Sequence, residues 1–111
     1  MNMWPKELDA VIAAPNSHKI LFENDRLRVT EVTILPGRKE PLHTHECSSV
    51  MMVDSSTKIA YYDESGKVTE YPESEASQEK PFVEWLEPEG PHAVENLDQS
   101  KIYHAVRIEL K

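Results

Sequence analysis

His43-Thr44-His45 is the pair of side chains in this sequence best placed to do chemistry. In an extended strand, residues two apart face the same way, so both imidazoles can reach one point, and neutral imidazole binds a divalent transition metal at about 2.0–2.1 Å. Two histidines do not close a coordination sphere, so a third ligand is required. His92 is the best candidate, because Pro88-Glu89-Gly90-Pro91 makes a tight turn that launches it into a new strand. Imidazole suits Fe(II), Zn, Mn, Ni and Cu almost equally, so the residues name a divalent transition metal as cofactor without choosing among these.

Strand alternation extends the pattern. A regular strand through the pair turns His43, His45, Cys47, Ser49 and Met51 inward and Thr44, Glu46, Ser48 and Val50 to the other side, which makes Glu46 the wrong carboxylate for the site. Near the end of the chain, Ile102, His104, Val106, Ile108 and Leu110 share one face, and Tyr103, Ala105, Arg107 and Glu109 the other. The apolar set is expected to be buried, which points His104 inward as a fourth ligand, a support for the metal-binding rings or an ordinary satisfied histidine. His18 precedes the first strand without a partner and is expected on the surface. Cys47 is expected to act as a small buried hydrophobe rather than a nucleophile. Met51, Met52, Tyr61, Phe82 and Trp85 are expected in the core or the pocket wall, and Asn96 is expected to stabilise a strand end.

These residues need a scaffold of short strands. From Ile20 onward Val, Ile, Thr and Tyr cluster between turn signals such as Asn24-Asp25, Pro36-Gly37 and Ser65-Gly66. Strands are expected over Lys19–Phe22, Leu27–Leu35, His45–Asp54, Ile59–Asp63, Lys67–Tyr71, Val83–Leu86, Ala93–Asn96 and Ile102–Leu110. The acidic stretch Glu70–Glu79 is expected to be a solvated loop. Only the start favours a helix: Leu8, Val11 and Ile12 fall at helical spacing after Pro5, and Pro15-Asn16 ends it. Strands without intervening helices argue for an all-β antiparallel sandwich or barrel. The division expected is a helical or extended arm over 1–18 and a barrel over 19–111.

Composition bounds the partners. With 111 residues the chain is one small domain, and its net charge of −8 carries no basic cluster, so neither nucleic acid nor an anionic membrane is expected as a partner. One cysteine makes no internal disulfide, and Met1–Ala10 has neither the basic start nor the apolar run of a secretion signal, which points to a reduced, cytoplasmic protein.

Gly37 followed by His43-Thr44-His45, and Pro88-x-Gly90-x-His92-x-x-x-Asn96, resemble the two cupin motifs. The flanking Glu23-Asn24-Asp25-Arg26-Leu27-Arg28-Val29 and the ending Arg107-Ile108-Glu109-Leu110-Lys111 resemble a group of small single-domain cupins. The resemblance implies an antiparallel jelly-roll β-barrel whose mouth holds a divalent metal on two histidines and a glutamate from the first motif and one histidine from the second. Carried over, the ligands are His43, His45 and His92. Where the glutamate would stand the chain has Ser49 or Val50, and Phe82 replaces the leading glycine of the second motif. The implied shell is three neutral imidazoles with open positions, which would attract an anionic or chelating small molecule.

Two functions follow as expectations. Cupins with three histidines and no glutamate resemble iron enzymes that add dioxygen to thiols, which implies a metal-dependent dioxygenase acting on a small organic acid, amine or thiol. The alternative is a non-catalytic module that binds a small molecule or metal. Sugar-nucleotide isomerisation or epimerisation ranks last, because a −8 chain offers little to hold a diphosphate. A homodimer is expected, joined through the edge of Lys19–Phe22 or of Ile102–Leu110.

Overall fold

A computed structural model describes residues 3–111; the first two residues of the expected arm, 1–2, lie outside the described residues. A 3-10 turn, Lys6–Leu8, and a one-turn helix α1, Ala10–Ala13, precede the strands. The expected helix shrinks to a turn because Pro5 and Pro15 leave too short a run between them to sustain one alone.

The strands are β1 His18–Glu23, β2 Leu27–Ile34, β3 His43–His45, β4 Ser49–Ser55, β5 Ile59–Asp63, β6 Val68–Tyr71, β7 Phe82–Leu86, β8 Glu89–Asn96 and β9 Tyr103–Leu110. They form a five-stranded sheet ordered β1-β2-β9-β4-β7 and a four-stranded sheet ordered β3-β8-β5-β6, with antiparallel pairing throughout. The all-β antiparallel expectation holds. One expected strand does not: His45–Asp54 is two strands, with β3 in the small sheet and β4 in the large one. Glu46-Cys47-Ser48 makes the corner, where the Glu46 carboxylate accepts the backbone N–H groups of Met3 (3.1 Å) and Trp4 (2.9 Å) and so cannot serve the site.

β9 reverses the sequence expectation. Tyr103, Ala105, Arg107 and Glu109 are buried, whereas His104, Val106 and Ile108 are only partly covered and Leu110 is exposed. The expectation weighed apolar content alone, and two facts overrule it. The inward polar groups are paired: Arg107 Nε donates to Ser49 Oγ at 2.8 Å, and Glu109 accepts from Arg28 Nε at 2.5 Å. The apolar set instead belongs to a row across the outside of the large sheet, Phe22–Val29–Ile108–Val50–Trp85, one residue from each strand in register. Trp85, 54% exposed, therefore stands outside rather than in a pocket wall. Met52, in the next row, faces outward too. β9 lies between β2 and β4, so it is no edge for a dimer to use; β1 and β7 are the edges of that sheet.

The inner face of the large sheet is graded. Along β2 the inward residues run Arg28, Thr30, Val32, Ile34, and their partners on β9 run Glu109, Arg107, Ala105, Tyr103. The apolar end, Val32, Ile34, Val53, Tyr103 and Ala105, forms the core, and the polar end faces β3 and β8. Asn96, fully buried at the end of β8, donates through Nδ2 to the carbonyls of Ile34 (2.9 Å) and Lys101 (2.8 Å), which ties the two sheets together as the sequence led us to expect. Replacing it with Ala leaves two buried carbonyls without donors. Asn96→Ala is expected to cost roughly 2–4 kcal/mol, measured by urea denaturation; a loss below about 0.5 kcal/mol would show that water or a rearranged turn replaces the side chain.

Candidate metal centre

β3 and β8 are neighbours in register, with His43 opposite His92 and His45 opposite Glu89. That pairing brings the three expected rings together: centroids lie 4.4 Å apart for His43 and His92, 5.1 Å for His43 and His45, and 5.4 Å for His45 and His92. The structure adds a fourth. His18, at the start of β1, is 5% exposed rather than on the surface, and its ring is 4.7 Å from His43 and 5.4 Å from His45. Two donor groups result, His18–His43–His45 and His45–Glu89–His92, each with its donor atoms within 4.8 Å of one another. Bonds of about 2.1 Å place opposite ligands about 4.2 Å apart, so closure onto an ion asks each atom to move only about 0.3 Å.

The rings are oriented for this. His43 Nδ1 donates to the Pro41 carbonyl at 2.8 Å, His92 Nδ1 to the Gly90 carbonyl at 2.7 Å, and His18 Nδ1 to the Ala14 carbonyl at 3.2 Å. His45 Nδ1 faces Glu109 Oε1 at 3.5 Å. A carbonyl only accepts, so the proton sits on Nδ1 and the Nε2 lone pair is free, the tautomer that metal-binding histidines adopt. Burial holds all four rings below the ordinary histidine pKa, His18 at about 3, aided in His18 by His43 and in His45 by Arg107. They are neutral at pH 7 and available as ligands. This donor set fits a divalent transition metal.

Carboxylates flank the rings. Glu40 is buried, accepts from Ser17 Oγ at 2.7 Å and lies 3.9 Å from His43 Nε2; burial pushes its carboxyl up. Glu89 accepts from Arg107 Nη2 at Oε1 (2.8 Å) and from the Tyr61 hydroxyl at Oε2 (3.0 Å), and Oε2 also lies 3.7 Å from His92 Nε2. Burial would raise Glu89, but Arg107, His92 and His45 outweigh it and keep it an anion. Tyr61 stacks on His92 at 5.1 Å and 6°. Gly90 leaves room for the Trp4 indole, which lies 3.3 Å from where a Cβ would stand, so the N-terminal arm packs directly on the start of β8, which carries Glu89 and His92. The turn expected over Pro88–Pro91 is instead mostly strand, because β8 begins at Glu89 to pair with β3.

The centre opens on a cavity of about 680 Å³. Its other walls are largely apolar, among them Val32, Val53, Ile59 and Tyr103, and its size is typical of small-molecule sites. Of the remaining expected site residues, Met51 lines the cavity, and Ser49 is buried behind it, accepting from Arg107. Cys47 sits in the β3–β4 corner and not on the cavity wall, its thiol pushed up by burial and by Glu109. Trp85 and His104 are outside. His104 donates through Nδ1 to Asp54 at 2.5 Å and through Nε2 to Glu31 at 2.8 Å; burial opposes its charge, but these two carboxylates prevail and raise its pKa. Tyr61 and Phe82, expected in the core or the pocket wall, line the cavity, while sequence reasoning missed His18, Glu40, Glu89 and Arg107. Glu89 stood inside the second motif, and Arg107 with Glu109 gave a legible alternation whose direction was misjudged.

No family model and no curated protein matches the sequence. Solved structures do. A cupin domain from Bordetella pertussis Tohama I is similar over 85% of this chain and 91% of its own, with a TM-score of 0.71 and 19% identity. An RmlC-like cupin with a double-stranded β-helix fold from Methanocaldococcus jannaschii is similar over 84% of this chain and 77% of its own, with a TM-score of 0.60 and 11% identity. This chain has the cupin fold. The polyketide cyclase RemF from Streptomyces resistomycificus shares that cupin-like architecture over 84% of this chain and 63% of its own, at a TM-score of 0.55 and 16% identity. Within the cupin barrel the cluster occupies the polar end of the graded interior, between the small sheet and the inward face of β9.

Unfolded histidines take up protons near pH 6.5, while the buried rings do so only at lower pH, so the unfolded chain binds more protons in between and gains stability as the solution is acidified. Glu40, Glu84 and His104, all raised, work against this, but they are outnumbered by the four rings. The metal-free protein is therefore expected to lose stability from pH 7 towards pH 5, by up to about 1.4 kcal/mol per pH unit for each ring. Urea midpoints at the two pH values check this, and an unchanged midpoint would mean that the rings protonate freely in the folded state.

Proposed function

We propose that this cupin holds a divalent transition metal on His43, His45 and His92, with His18 and Glu89 completing the donor set, and binds a small molecule beside it in the cavity. One observation carries the reading: four buried, neutral imidazoles, each held through Nδ1, fall into two donor groups that share His45, His18–His43–His45 and His45–Glu89–His92. An ion held there supplies a Lewis acid on which a chelating ligand can be oriented. The surrounding side chains do the rest. Tyr61 donates to Glu89 Oε2 and stacks on His92, which orients both groups, and the apolar walls exclude water from the bound molecule. Glu40, its carboxyl pushed up by burial, accepts from Ser17 Oγ beside His43.

In its finer form the proposal is a metal-dependent dioxygenase of a small organic acid, amine or thiol, supported by the mostly imidazole ligand set. Glu40, Glu89 and Tyr61 put groups able to act as acid or base beside the histidines, which weighs against a purely binding module. RemF, a polyketide cyclase by name, is a reminder that the fold also hosts other chemistry.

Protein purified without chelator or nickel resin is expected to carry close to one equivalent of a divalent transition metal by elemental analysis, and a His43→Ala/His92→Ala double variant to carry none. Occupancy well under about 0.2 equivalents, not restored by added Fe(II), Zn(II) or Mn(II) at pH 7.5, would overturn the metal centre. Oxygen uptake by the Fe(II)-loaded protein with a panel of thiols and catechols tests the finer form, and no uptake across the panel leaves the binding module.

A further inference from the structure

On the wall of the cavity, away from the histidines, one carboxylate stands without a partner. Glu84 lies on β7 opposite Met51, turned inward with Phe82 and Leu86, and all three line the cavity. Among the described residues it makes neither a hydrogen bond nor an ion pair, although the other acidic side chains of the cavity are partnered, Glu40 by Ser17 and Glu89 by Tyr61 and Arg107. Burial and the charge of Glu89 push its carboxyl up, with Arg107 pulling the other way, so this is a charge short of compensation. Arg107 does not supply the missing partner. It stands two strands away across Met51, about 9.6 Å in backbone spacing, and its guanidinium is engaged by Ser49 and Glu89.

A second group in the cavity is also unpartnered. The Tyr103 phenol, 9% exposed, has no hydrogen-bond partner among the described residues, and after burial the charge of Glu84 weighs most on it. Phe82, Tyr71 and Tyr103 bring aromatic rings to the same cavity. A carboxylate among aromatic rings is the environment that stabilises an ammonium group, through Coulomb attraction and the negative face of the rings, and a chain of net charge −8 adds to the attraction.

We propose that the ligand of this cavity carries a protonated amine on an apolar body, and that Glu84 is the residue that selects it. The inference rests on the reading of the cavity as a small-molecule site, but not on the metal. Glu84 accepts hydrogen bonds from the ammonium, the Tyr103 hydroxyl is free to join, and the apolar walls cover the body of the ligand, leaving its far end towards the histidines.

Calorimetric titration of the metal-free protein at pH 7.5 with hexylamine, 1-hexanol and hexanoate, three heads on one body, tests this. Hexylamine is expected to bind at least tenfold more tightly than 1-hexanol, with hexanoate weakest, and Glu84→Gln to bring hexylamine down to the level of the alcohol. Glu84→Ala, with its fold checked by circular dichroism, should do the same. Equal binding of the three, preference for hexanoate, absence of binding by all three, or an amine preference that survives Glu84→Gln would each overturn the inference. Metal content, measured separately, keeps the two readings apart: amine preference without metal refutes the metal centre alone, and metal without a preference that depends on Glu84 refutes this inference alone.

Discussion

Burying ionisable groups together with their partners is the constraint that shapes the polar end of this barrel. His18, His43, His45, His92, Glu40, Glu109 and Arg107 are all nearly closed off from solvent at one end of the molecule. A buried charge that loses its partner costs several kcal/mol, comparable to a large part of the stability of a domain this size. The structure meets the constraint with a chain of partners. Asp9 holds both terminal nitrogens of Arg28 at 2.9 and 2.8 Å, Arg28 and Thr30 hold Glu109 at 2.5 and 3.1 Å, and Glu109 faces His45. The N-terminal arm is thereby tied to a ring of the candidate centre from the other side of the barrel.

The same constraint explains why the rings are useful. Acceptors that satisfy Nδ1 also remove the freedom of each imidazole to turn, so the free nitrogens are oriented before any ligand arrives. Burial keeps the rings neutral, and neutrality keeps their lone pairs. Where the cupin resemblance would place a carboxylate the chain has Ser49 or Val50, while Glu89 stands on the facing strand, opposite His45 and close to both His45 and His92. It reaches them because β3 and β8 are hydrogen-bonded neighbours.

Much of the arrangement was legible in the chain. The His-x-His spacing, the turn before His92 and the β-rich punctuation after Ile20 led to the three rings and to the class of fold. What failed did so for identifiable reasons. Cys47 was placed inward on the premise of a continuous strand, and the corner at Glu46–Ser48 broke that premise. His104 was placed inward because its face is the more apolar, yet it lies outside, bridging Asp54 and Glu31. His18 carried no local signal, since its neighbours in the cluster are more than twenty residues away in the chain.

Alternation with a period of two is a local property, set by the pleat of the backbone, so the sequence alone determined which residues share a face within an unbroken strand and which side chains could act as ligands. Which face became the interior is not local. It depended on whether Arg107 and Glu109 could find Ser49, Glu89, Arg28 and Thr30 on other strands, because partners of that kind turn the burial of a charge from prohibitive to tolerable. Only the folded arrangement of two sheets supplies them, and it also decided that an isolated histidine and a glutamate from the second motif would join the pair at 43 and 45.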